Sequence, residues 1–83
     1  MSSPVVLDFL FDDENEDELW GHKLTPDVVR QVLDNPKRIG RNKNRHRATH
    51  LIIGSDNGGR VIYVLVEPTH DPVLWRPVTA WRP

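Results

Sequence analysis

The two apolar runs at residues 48–54 and 60–67 constrain this chain more than any other feature. The first holds Leu51, Ile52 and Ile53, and the second holds Val61, Ile62, Tyr63, Val64, Leu65 and Val66. Between them lies Ser55-Asp56-Asn57-Gly58-Gly59, rich in residues that tolerate the positive φ of tight turns. β-Branched and aromatic residues on either side of such a turn predict an antiparallel hairpin. A second turn, Pro68-Thr69-His70-Asp71-Pro72, leads to a last strand over residues 73–81, where Pro77 favours a sheet edge or a local break. Trp75 and Trp81 share a parity on that strand if it runs unbroken, which predicts one strongly aromatic face.

The N-terminal half reads as helix. Residues 5–11 are apolar and short, as in a strand or a packed arm. Asp12 or Asp13 can cap a helix running to about Trp20, with acids crowding its first turn and Gly21 as its stop. Leu19 and Trp20 are its expected core anchors. A second helix opens with Thr25 as N-cap and Pro26 at the first helical position. Val28, Val29, Val32 and Leu33 give it one apolar face. Asn35 is expected to close it in a left-handed conformation before Pro36.

These elements predict a single α+β domain over residues 1–83: two N-terminal helices on one face of a three- to four-stranded antiparallel sheet. A chain of 83 residues has room for one modest core. It has no cysteine, which excludes a disulfide framework and a thiolate zinc site. No apolar run approaches a membrane span, and Met1-Ser2-Ser3-Pro4 lacks the features of a signal peptide. The expectation is a cytoplasmic protein with no membrane partner.

Charge is sharply divided along the chain. Residues 1–34 carry nine acids against Lys23 and Arg30, whereas residues 35–47 carry six bases and no acid. The basic tract comprises Lys37, Arg38, Arg41, Lys43, Arg45 and Arg47. Such a strip fits a polyanion such as RNA, and equally a solvated strand or a counter-surface for an acidic partner chain. Arg60, Arg76 and Arg82 add cations on the strands, and His22, His46, His50 and Tyr63 are candidate proton-transfer groups. RNA carries its own nucleophile in the 2′-hydroxyl, so arginines and a histidine suffice to cleave it.

Other chemistries find less support. His46 and His50 on a strand lie roughly 13 Å apart, too far to share an ion. The acids of residues 12–18 lack the spacing and the glycine of an EF-hand loop. No serine elbow, Walker loop or dinucleotide fingerprint is present. Neither a metal nor a cofactor is expected.

The order of several motifs resembles the BrnT family of bacterial toxins. Phe11-Asp12-Asp13-Glu14-Asn15-Glu16 is similar to the aromatic-Asp segment that opens its first helix. Gly21-His22-Lys23-Leu24-Thr25-Pro26-Asp27-Val28-Val29 is similar to its step into the second helix. Gly59-Arg60 and Arg76-Pro77-Val78-Thr79-Ala80 match its later strands. The family has Lys-His-Gly where this chain has Gly21-His22-Lys23, and an arginine where this chain has Trp81.

The resemblance implies a RelE-like fold, a metal-independent endoribonuclease that inhibits translation, and a cognate DNA-binding antitoxin as partner. Its candidate catalytic residues are His22, Arg60 and Arg76, with Lys23 and Thr79 beside them. The alternatives are a non-catalytic RNA- or protein-binding module of the same fold, and a homo-oligomer built through Trp75 and Trp81.

Overall fold

The computed structural model describes residues 4–43 and 47–83. Chain order is β1 (Asp8–Phe9), α1 (Asp13–Gly21), α2 (Pro26–Arg30) continuing as a 3₁₀ turn (Gln31–Asp34), then β2 (Arg38–Arg41), β3 (His50–Ser55), β4 (Val61–Pro68) and β5 (Leu74–Trp81). The architecture is α+β, as expected, but the sheet has five strands in the order β1-β5-β4-β3-β2. It is mixed rather than antiparallel, because the two residues of β1 run parallel to the start of β5. So short a strand leaves almost no alternating pattern to read. No helix among the described residues is long and apolar enough to cross a membrane.

Local chemistry sets the helix starts. The Asp12 carboxylate accepts from Asn15 N–H and the Asn15 amide oxygen accepts from Asp12 N–H, a reciprocal capping box. Thr25 Oγ1 accepts from Val28 N–H, with Pro26 following it. α1 ends differently from expectation. Gly21 stays helical, and Lys23 takes the left-handed conformation, with φ of 60°. Asn35 is extended instead, freeing its amide to donate to the carbonyls of Gln31 and Ser55.

Both helices lie on one sheet face. Leu19, Leu24, Val29 and Val32 meet Ile52, Ile62, Val64, Val66 and Ala80 in a single core, which Phe9 and Trp75 close at one end. The buried residues of α1 are Asn15 and Leu19, four positions apart on one stripe. Trp20 falls off that stripe and is 70% exposed, so it is not the core anchor expected from its size.

α1 also completes the margin of the sheet. Beyond β1, Leu10 N–H donates to the Trp75 carbonyl and the Asn15 amide donates to the Pro77 carbonyl. A fully buried side chain on the helix thus pairs backbone that no strand reaches.

Candidate functional site

The face of the sheet opposite the core carries Leu51, Ile53, Tyr63, Leu65 and Trp81, all half-buried, with Thr79 at its margin within reach of Glu18 on α1. Register aligns Arg38, Ile53, Tyr63 and Trp81 as one row across β2, β3, β4 and β5. The Tyr63 and Trp81 rings lie 5.6 Å apart, tilted by 59°. The opposite parity takes Ile39, Ile52, Val64 and Ala80 to the helix side.

A bulge in β5 creates this arrangement. Pairing steps from Leu65–Thr79 to Val66–Pro77, which leaves Val78 without a partner. Parity therefore changes part-way along β5. Trp75 is buried among core residues, and Trp81 is on the open face. The two tryptophans expected to share a face lie on opposite ones, so no single contact surface presents both.

Part of the charge division of the sequence is answered within the molecule. Arg76 Nε donates to Asp12 Oδ2 at 2.6 Å, Nη2 to Glu14 Oε1 at 2.8 Å, and Nη1 to Glu67 Oε2 at 3.1 Å. Arg47 reaches the same Glu14 at 2.6 Å and the same Glu67 at 3.1 Å. Two arginines and two glutamates form a closed ring of alternating sign, with Asp12 as a fifth member. The Arg76 side chain is only 13% exposed, against 54% for Arg47.

These contacts shift the acids. Hydrogen bonds from Arg76, then from Asn15 N–H, hold Asp12 below the ordinary aspartate value of 3.8. Arg47 and then Arg76 hold Glu14 below the ordinary glutamate value of 4.5. Asp8 is lowered by Arg30, and Asp56 by the N–H of Arg60. Each group binds protons less readily folded than unfolded, so each contributes stability at neutral pH that is lost as pH falls through its depressed value. The melting temperature is expected to hold steady from pH 7 to about 5, then to drop as pH falls below about 4. Equal melting temperatures at pH 7 and pH 3 by circular dichroism would contradict this.

His22, Lys23 and Thr79 lie on the same border. Glu18 Oε2 accepts from Thr79 Oγ1 at 2.8 Å and sits 3.0 Å from His22 Nε2, so one carboxylate links the histidine to the sheet. Lys23, next along, is exposed. Arg60 is remote from Arg76. It precedes β4 at the hairpin turn, whereas Arg76 pairs with Glu67 seven residues later, roughly 23 Å along the strand. Its N–H donates to Asp56 Oδ1 at 3.0 Å, and its guanidinium has no ion pair among the described residues. The candidates His22, Arg60 and Arg76 therefore do not converge on one point.

The basic tract is spread over two places. Lys37 donates to the Leu33 carbonyl, and Arg47 joins the charge ring. Arg38, Arg41 and Lys43 are exposed on and just after β2, and none of the described residues forms an ion pair with them. Arg45 and His46 lie outside the described residues. His50 is on the helix side, its ring edge-on to Trp75 at 5.0 Å, where burial and then Arg41 lower its pKa.

Comparison with family models, curated proteins and solved structures returns no match. Sequence reasoning missed Glu14, Glu18, Glu67 and Asn15 as partners of the predicted cations and strands. The outward parity of Glu67 on β4 was readable. Which cation it meets depends on the β5 register and on the placement of Arg47.

Proposed function

We propose that the protein binds single-stranded RNA across the open sheet face and is a toxin-type, metal-independent endoribonuclease that inhibits translation. A DNA-binding antitoxin would restrain it. The observation that carries the binding part is the row Arg38–Ile53–Tyr63–Trp81: an aromatic pair on an open face, with a cation at the row's far end that has no acidic partner among the described residues. Bases stack on such aromatic platforms, and each stack is worth about 1–3 kcal/mol. The resemblance to BrnT toxins supports the toxin reading through its ordered motifs and the helix pair preceding an antiparallel meander. Lys23 adds to it. The family's glycine falls at the position where this chain has Lys23, and Lys23 holds the positive φ that glycine adopts without strain.

In the cleavage step the 2′-oxygen attacks the adjacent phosphorus and gives up its proton to a base. The 5′-oxygen leaves with a proton, producing a cyclic phosphate and a free hydroxyl. His22 is the acid/base candidate, oriented by Glu18 and flanked by Thr79. Arg60 serves as a backbone contact, and Arg76 holds the fold rather than phosphate. A binding module that breaks no bond is the second reading, favoured by the three carboxylates already around Arg76.

Incubation of purified protein with total RNA in EDTA tests both readings. Cleavage that persists in chelator, fails in His22→Ala and weakens in Trp81→Ala is the expected result. Salt-sensitive binding without cleavage would select the module. Absence of both would overturn the RNA assignment.

A further inference from the structure

A cavity of about 430 Å³ opens at the β2 end of the aromatic row. It is a shallow, open depression rather than an enclosed pocket, a shape on which a flat group can lie. Ile53 and Val61 form its apolar floor, and Pro36, Lys37 and Arg38 form one wall. No acidic residue lines it. Ile53 lies directly opposite Tyr63 in the β3–β4 register, so the floor borders the aromatic pair at about one strand spacing, ~4.8 Å.

The wall is held in place from two sides. Asn35 bonds the carbonyls of Gln31 and Ser55, tying the end of the 3₁₀ turn to the hairpin. On the helix side, a Cβ at Gly54 would stand 3.1 Å from Val32 Cβ and 3.3 Å from Lys37 Cβ. Glycine lets residues 36–38 approach the sheet this closely. The cavity thus combines a flat apolar floor, a fixed wall and a cation with no partner among the described residues.

We propose that this cavity is a nucleotide subsite, in which one base of a single-stranded RNA rests on Ile53 and Val61. Its phosphate meets Arg38, and the neighbouring base stacks on Tyr63 and Trp81. The inference rests on the RNA reading and adds a direction to it: the strand crosses β2, β3 and β4 toward β5. A cavity that is apolar below and cationic at its wall suits a planar group carrying an anion.

The test is a methyl and aromatic NMR titration of the intact protein with a short single-stranded RNA, beside inorganic phosphate as control. Shifts of the Ile53 and Val61 methyls together with the Tyr63 and Trp81 rings are expected with RNA. Phosphate alone should leave those methyls unmoved. Val61→Glu should weaken RNA binding about tenfold with an unchanged melting temperature, since Val61 is 43% exposed. Ring shifts without methyl shifts would overturn the subsite and leave RNA binding standing. Methyl shifts reproduced by phosphate would overturn it as an anion site only. No shift with RNA anywhere would overturn the RNA reading and the subsite together.

Discussion

Arg76→Ala is expected to lower the melting temperature by about 10 °C. Breaking a buried ion pair from one side costs about 3–5 kcal/mol, because the stranded charge keeps its desolvation penalty. Here Asp12 and Glu14 are 41% and 67% exposed and recover water, while Glu67 is 24% exposed and recovers less. The expected loss is therefore about 2 kcal/mol, and a domain of this size shifts by about 4–8 °C per kcal/mol. Arg76→Lys should recover only part of the loss, since an ammonium cannot match the fork that serves three carboxylates. An unchanged melt in Arg76→Ala would show that the ring contributes nothing. Activity measured in Arg76→Ala is informative only below the variant's lowered melting range.

Asn15→Leu is expected to be worse. Asn15 is 1% exposed, and its amide donates to the carbonyls of Leu10 and Pro77 while its oxygen accepts from Asp12 N–H. Leucine keeps the branched skeleton, is bulkier, and satisfies none of these. Two carbonyls and one N–H would lose their partner together, at about 1–3 kcal/mol each when buried. A total near 3 kcal/mol is expected, since Asp12 N–H is close to water, and small domains have about 5 kcal/mol in all. Urea unfolding should place the midpoint far below that of the parent. Asp13→Asn, an exposed neighbour on the same helix, should leave it unmoved.

Readability from sequence followed the range of the interaction. The helix starts at Thr25 and, to within one residue, at Asp12 were legible because a cap reaches only three residues along the chain. The hairpin was legible because turn chemistry and strand alternation are local. Trp20 was misplaced on the strength of its size, although the four-residue spacing of Asn15 and Leu19 sets which side of α1 is inward. Asn35 was misjudged because its carbonyl partner at Ser55 lies across the fold. The tryptophan parity failed at one inserted residue, Val78, which no alternation rule anticipates.

The site was less legible than the fold. The basic tract and its likeness to a polyanion-binding strip could be read directly. Its division could not: Arg47 is drawn to the acids of α1, whereas Arg38, Arg41 and Lys43 stay exposed along β2. That outcome depends on which end of β3 the tract joins. The aromatic row depends on pairing register across four strands, and no single segment contains it.

β2 has a consequence for how the protein behaves in bulk. It is an edge strand of the sheet, so one side of its backbone has no strand to pair with among the described residues. Such margins invite identical molecules to zip together, and lysine or arginine along them is a common defence. Arg38 and Arg41 within the strand, with Lys37 and Lys43 at its ends, set like charge against like whenever two copies approach. At 1 M salt the Debye length shrinks to about 3 Å, and that repulsion fades. A concentrated solution should therefore stay clear in dilute buffer and cloud as salt is added, the reverse of ordinary salting-in.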